Sequence, residues 1–356
     1  MTRFTITAAA ALLATTSLAQ AGGLDRSILN VSPLFEDGNY FEFSFSAVIP
    51  EVTGTLGPNT SGDMADDYFN AGFAYRHEIS DTFAVALIYS NAYGADVNYT
   101  NTSVAYPVQG FTASLTGNAL SVLGQYQFNE NISVYGGLRY VSMSAETGVA
   151  SVGNVNDYAA DGALGYVVGA AYEIPDIALR ASLTYTSATT HDNSITVNGP
   201  NALTVGATQT GEYTMPQSLA LDFQTGVAEG TLVLASIRWT DWTETMINTQ
   251  SSLGTIDYDN DTWAYSIGAA RRLSEELAVV GTISYEASSG LPASNLSPTD
   301  GQIGVSVAGI YDLSDQVTLT GGLNYTFLGD ATTEGVGATF ADNRAFGVGF
   351  RIGYNF

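Results

Sequence analysis

The chain has 356 residues, 45% of them hydrophobic and only 13% charged, and its formal charge is -25 from 35 acids against ten basic residues, every one an arginine. A sequence pI near 4.1 with no basic cluster leaves no phosphate-binding surface, which excludes nucleic acid as a partner. Zero cysteine and two histidines, His77 and His191, remove disulfides and thiolate metal sites and leave little for imidazole ligation or a catalytic triad, so neither cofactor nor metal is expected.

In chain order, the first segment reads as a signal peptide over 1–21. Arg3 supplies the positive n-region, Ala8 to Leu13 the short apolar core, and Ala19-Gln20-Ala21 the cleavage site. That apolar run is too short to span a bilayer, and no later stretch reaches the ~18 residues a membrane helix needs. The chain is therefore expected to be exported, with a short N-terminal segment, 22–38, ahead of a single unit covering 39–356.

That unit alternates. Ile177, Leu179, Ala181, Leu183 and Tyr185 interleave with Ala178, Arg180, Ser182, Thr184 and Thr186; Phe346, Val348, Phe350, Ile352, Tyr354 and Phe356 interleave with small residues and Arg351. Period two means strands with two unlike faces. A water-soluble sandwich would load its outer face with charge, whereas here the second face is glycine, serine, threonine and an occasional arginine, which suits a barrel lumen. Short turns at Ser80-Asp81, Asn129-Glu130-Asn131, Pro175-Asp176, Ala228-Glu229-Gly230, Ser274-Glu275-Glu276 and Ser314-Asp315-Gln316 alternate with long polar links such as Ser288–Asp300 and Gly329–Asp342. The pattern predicts an all-β transmembrane antiparallel barrel of about fourteen strands in a bacterial outer membrane. The strands are expected near 39–56, 67–79, 82–100, 111–128, 131–147, 158–173, 177–195, 213–225, 230–249, 258–272, 277–287, 301–313, 316–328 and 343–356. Aromatic girdles are expected from Tyr75, Phe83, Tyr126, Phe128, Tyr172, Phe223, Trp239, Trp242, Tyr311 and Phe327, and the terminal Phe356 is the kind of residue that barrel assembly machinery reads.

Parity places Arg139, Arg180, Arg238, Arg272 and Arg351 on the inward face. On the lipid face at the midplane an arginine would cost roughly 2–4 kcal/mol. In a partly dry lumen guanidinium groups can hold a carboxylate, or pair with acids such as Asp161, Glu173, Asp222 and Glu286. Leu123, Val141, Met143, Val167, Leu232 and Leu234 share the inward parity and are candidates for an apolar sleeve. In the third strand Asn91 falls on the lipid-facing parity, and Gly94 marks a bend. A bulge around Asn91, Tyr93 and Gly94 is expected to turn the amide inward and interrupt the ladder. Asp257, Asp259 and Asp261 have half a calcium loop's spacing, but Thr262 and Gly268 stand where glycine and glutamate belong, so they are expected to be solvated loop charge. His191 with Ser187 or Ser194 is the nearest approach to a nucleophile and base, and no catalytic residue is assigned.

The run Tyr89-Ser-Asn-Ala-Tyr-Gly-Ala-Asp-Val-Asn-Tyr99, with Tyr135-Gly-Gly-Leu-Arg-Tyr140, Leu179-Arg-Ala-Ser-Leu-Thr-Tyr-Thr-Ser187, Met215-Pro-Gln-Ser-Leu219 and Arg238-Trp-Thr-Asp-Trp242, resembles the FadL/TodX outer-membrane transporters of long-chain fatty acids and other hydrophobic compounds. The resemblance implies a fourteen-stranded barrel closed from the periplasm by an N-terminal hatch over 22–38. It also implies a lateral exit at a kink in the third strand, passive uptake of a hydrophobic molecule such as a long-chain fatty acid, and no enzymatic step. The family's Asn-Pro-Ala hatch motif is absent, Asn30-Val-Ser-Pro33 being the nearest sequence. On these grounds the expected setting is a monomer in outer-membrane lipid. A general diffusion porin or a structural or adhesive barrel are the alternatives.

Overall fold

The computed structural model describes residues 24–149, 153–198, 208–248, 255–290 and 292–356; the expected signal peptide, 1–21, and parts of several long links lie outside the described residues. Fourteen antiparallel strands close into a barrel. They are β1 (Tyr40–Glu51), β2 (Tyr68–Ser80), β3 (Phe83–Asn98), β4 (Phe111–Gln127), β5 (Ile132–Val149), β6 (Asn154–Ile174), β7 (Leu179–Thr186, continuing as Thr189–Asn198), β8 (Thr208–Met215, continuing as Ser218–Ala228), β9 (Thr231–Thr240), β10 (Thr262–Arg272), β11 (Leu277–Glu286), β12 (Gln302–Asp312), β13 (Val317–Leu328) and β14 (Arg344–Asn355). Each pairs with its sequence neighbour, and β1 pairs with β14 from Tyr40↔Asn355 to Glu51↔Arg344, which removes the free edge. No helix among the described residues is long and apolar enough to cross a membrane.

The alternation produces the two faces. Along β14, Phe346, Val348, Phe350, Ile352 and Tyr354 are exposed on the outer wall, while Ala345 and Arg351 are buried inside. The outer wall is apolar because its solvent is lipid, and the wall's hydrogen bonds are internal because hydrocarbon offers none.

Strand ends depart from the expected ranges where chain geometry intervenes. The 39–56 strand stops at Glu51, and Thr53–Leu56 joins Asn59–Asp63, Ala331–Thr332 and Thr339–Phe340 in a small sheet over one mouth. The 177–195 and 213–225 strands each break and shift, at Ser187–Ala188 and at Pro216–Gln217, proline having no N–H for a ladder. The 230–249 strand ends at Thr240; a 3-10 turn at Trp242–Glu244 then folds the chain over the lumen. Trp242 is consequently no girdle residue. It is 1% exposed and packs 5.0 Å from Tyr258 in an apolar cluster that also holds Tyr99, Phe340, Met64, Met143 and Met215 at the outer end. Toward the short-turn end two further clusters fill the lumen. Val31 and Leu34 of the N-terminal segment pack on Ala74, Ala86, Leu123, Tyr135, Val167 and Ala171, and Leu232, Leu234, Ala270, Ala278, Val280 and Ile310 pack on one another.

Close strand approach explains some of the glycines. A Cβ on Gly137 would stand 1.9 Å from the Val122 carbonyl oxygen, whereas one on Gly309 would meet nothing within 4 Å. Gly137→Ala is therefore expected to strain the β4–β5 ladder and destabilise the barrel by about 1–3 kcal/mol, and Gly309→Ala to be silent. Urea titration with heat-modifiable gel mobility as the readout separates the two; equal midpoints would contradict the packing.

Candidate functional site

The ladder between β2 and β3 runs from Ser80↔Phe83 only as far as Gly72↔Ser90. Beyond it the pairing to β4 shifts by one residue between Asn91 and Tyr93, so Ala92 is the extra residue of a bulge. β3 then meets the segment after residue 63, at an Ala65↔Val97 bridge. Between these two points Tyr68–Ala71 and Ala92–Asp96 do not pair, and the barrel wall has a window.

The N-terminal segment fills it. Asp25 bridges Tyr93, the Gly94 N–H donates to the Leu24 carbonyl (2.8 Å), and the Arg26 N–H donates to the Ala92 carbonyl (2.8 Å). The Ser27 hydroxyl donates to the Asn91 carbonyl at 2.7 Å. Arg26 lies with its guanidinium carbon 3.3 Å from the Tyr68 ring centroid and pairs with Asp96 at 2.7 Å, tying the two sides of the window together. Gly94 allows this, since a Cβ there would stand 2.7 Å from the Arg26 Nε.

The bulge reverses parity on its C-terminal side only. Tyr93 turns into the lumen, but Asn91 keeps its outward parity, correcting the expectation that its amide points inward. The amide is satisfied sideways instead: its Oδ1 accepts the Ala71 N–H at 2.7 Å, and its Nδ2 donates to Asn118 Oδ1 at 2.7 Å. A side chain thus replaces part of the missing ladder, avoiding the few kcal/mol an unpaired buried amide would cost.

Two cavities flank the N-terminal segment. One, about 120 Å³, lies against the window and is lined by Ser27, Asn30, Asn70, Ser90, Asn324 and Arg351 among others. The other, about 100 Å³, lies on the opposite side and is lined by Asp25, Tyr93, Arg139, Arg180, Leu234 and Arg238 among others. Arg238 holds Asp25 at 2.6 Å. Arg139, 4% exposed, hydrogen-bonds Tyr93 and reaches no carboxylate within ion-pairing distance among the described residues. Arg180 lies 3.9 Å from Glu173, donates to Gln224 Oε1 at 3.2 Å and caps the Phe35 ring. Arg351 pairs with Glu42 at 3.2 Å across β1 and β14.

The predicted residues are thus not one constellation. Arg139, Arg180 and Arg238 meet at one cavity and Arg351 at the other, while Arg272 sits at the end of β10 beside Gly230 and lines neither. Of the sleeve candidates only Leu234 lines either of these two cavities. Leu123 and Val167 pack under the N-terminal segment, Leu232 in the cluster beside it, and Val141 and Met143 in the outer cluster. Sequence reading missed Asp25, Arg26 and Asn118. An acid directly followed by an arginine just after the expected leader, and an asparagine at a lipid-facing position of β4, were the available signals.

A family model described as outer membrane protein transport protein (OMPP1/FadL/TodX) matches residues 26–352. The chain belongs to the OMPP1/FadL/TodX family. It is an outer-membrane transport protein and not an enzyme. No curated protein sequence matches it. Among solved structures it is similar to a Pseudomonas aeruginosa FadL homologue, at 12% identity over 91% of this chain and 92% of that one with a TM-score of 0.76. It is also similar to the Pseudomonas putida toluene transporter TodX (15%, 96% and 97%, 0.67) and the Ralstonia pickettii toluene transporter TbuX (13%, 98% and 98%, 0.63).

At the foot of the lumen this family member buries an acid. Glu36, on the N-terminal segment outside the spanning strands, is 5% exposed, and one of its carboxylate oxygens has no partner. Burial pushes its pKa up to about 7, against the pull of Arg351 and Arg180 and with the push of Glu42 and Asp37. Because the folded pKa exceeds the unfolded one, the seated segment holds a proton that the released segment gives up. Seating therefore weakens as pH rises from about 4.5 to about 7, by on the order of 3 kcal/mol. Hydrogen exchange of residues 31–36 is expected to be slower at pH 5 than at pH 8 after correction for intrinsic rates, and Glu36→Gln is expected to flatten the difference. Equal protection at both pH values would contradict this.

Proposed function

We propose that the protein is a passive uptake channel for hydrophobic molecules bearing a carboxylate, long-chain fatty acids foremost. Residues 22–38 act as the hatch, and the cargo leaves sideways through the β2–β3 window into outer-membrane lipid. The observation that carries this reading is the pair Arg139 and Arg238 beside a lumen cavity that Asp25 and Asp222 also line: half-buried Arg238 pairs with Asp25, while buried Arg139 has no carboxylate within ion-pairing distance among the described residues. A fatty-acid head group supplies the carboxylate that Arg139 lacks, and charge-assisted bonds from guanidinium are the strong ones. The sleeve assignment narrows to Leu234 and to the walls of the two cavities.

A general diffusion porin needs a water-filled lumen; here the two inner apolar clusters and the N-terminal segment occupy it. A purely structural or adhesive barrel gives no reason for a buried arginine, Arg139, that has no ion pair among the described residues. The chain is proposed to work as a monomer, delivered by the barrel assembly machinery. Arg139→Leu is expected to weaken oleate binding to the detergent-solubilised protein by about ten- to a hundredfold while leaving a neutral aromatic such as toluene unaffected. Fluorescence titration reads both. Unchanged oleate affinity, or large open-pore currents in a planar bilayer, would overturn the reading.

A further inference from the structure

We infer that the outer wall beside the window carries an exit site for the cargo's polar head, built on Asn118. The inference rests on the proposed lateral route and names a site on the lipid side of it. Asn118 stands directly opposite Asn91 on β3 and Ser142 on β5, so the three form one row across three strands. The next row toward the membrane centre is Tyr89, Leu120 and Tyr140, and the one after it Leu87, Val122 and Leu138. Above the polar row the same face continues as Thr116 and Ser144. The Asn118 row is thus the upper border of the apolar band at the strand that forms the window.

Within that row the hydrogen bonds are lopsided. Asn118 Oδ1 accepts twice, from Asn91 Nδ2 at 2.7 Å and from the Tyr89 hydroxyl at 3.1 Å. Its Nδ2, with two N–H groups, has no acceptor among the described residues, although Asn118 is half-buried. Two donors without an acceptor at the border of hydrocarbon call for one. The ligand chemistry this fits is an amphiphile with a carboxyl or carbonyl oxygen at its head and a long alkyl tail. The head accepts from Asn118, and the tail runs down the Tyr89, Leu120, Leu87 and Val122 wall in the direction a lipid tail takes. Asn91 connects this site to the window, since its other end holds Ala71 on β2. A saturated hydrocarbon has no head to place there and gains nothing from it.

The test compares the protein and its Asn118→Leu variant in proteoliposomes, using oleate and hexadecane as cargo, with oleate affinity in detergent measured alongside. The site predicts that oleate transfer slows about three- to tenfold in Asn118→Leu, while hexadecane transfer and oleate affinity stay within about twofold of the parent. Asn118→Gln, which keeps the carboxamide, is expected to recover most of the oleate rate. Should the leucine variant not assemble, as judged by heat-modifiable mobility, Asn118→Ala takes its place in the same comparison. Equal slowing of oleate and hexadecane would reduce Asn118 to a wall residue and overturn the inference, as would an unchanged oleate rate. Parent protein that moves neither cargo faster than empty liposomes would remove the proposed function itself, a result distinct from either.

Discussion

Inside a membrane a backbone N–H or C=O has no water to turn to, and this chain is organised by that requirement. β1 and β14 close the sheet so that no edge faces lipid, and alternation then sends every second side chain outward into hydrocarbon. The ladder is interrupted between β6 and β7, from Val167↔Thr186 to Ile195↔Tyr158, and again between β2 and β3, from Gly72↔Ser90 to Ala65↔Val97. Between β2 and β3 the chain substitutes other partners: the backbone of residues 24–27 on the inner side, and the Asn91 carboxamide spanning from Ala71 to Asn118. An opening whose bonds are lent by a separate segment and a side chain is cheaper to open than one that needs a continuous ladder broken.

The second organising feature is where charge is allowed. A composition with no lysine and few arginines leaves each cation a definite place. Arg139, Arg180 and Arg351 are buried inside and Arg238 is half-buried there, and three of the four face acids: Glu173, Asp25 and Glu42. Many other acids crowd the turns and loops, such as Asp81, Glu130, Asp315 and the Asp257–Asp261 run, where water solvates them. The strongly negative balance therefore describes the two aqueous ends of the molecule. The lumen, where cargo would travel, holds acids as well: Asp222 lines the cavity of Arg139, Arg180 and Arg238, and Glu36 lies at its foot.

Strand period, turn positions and inward parity of the arginines were legible in the sequence because each is a local, period-two signal over many residues. The features that were not legible depend on one-residue events or on contacts across the chain. The bulge at Ala92 reverses Tyr93 and leaves Asn91 outward, and parity alone cannot say on which side of a bulge a residue falls. Trp242 looks like a girdle residue until the chain is seen to leave the barrel after Thr240. Asp25 and Arg26 are an unremarked pair until the barrel brings them against Arg238 and Asp96, 213 and 70 residues away. The six sleeve candidates share parity but are spread over three packing clusters, because parity fixes the side a residue faces and not its height along the strand.

The central claim is that cargo crosses the wall through the β2–β3 window, which residues 24–27 occupy in the structure. Arg26 and Ala92 are adjacent across that contact, so Arg26→Cys with Ala92→Cys allows a disulfide to pin the segment in place. The most direct measurement is oleate uptake by this variant in proteoliposomes, oxidised and then reduced. Uptake is predicted to be lost on oxidation and to return on reduction, with each single cysteine variant unaffected by the same treatment. Full uptake by the oxidised protein would contradict the claim.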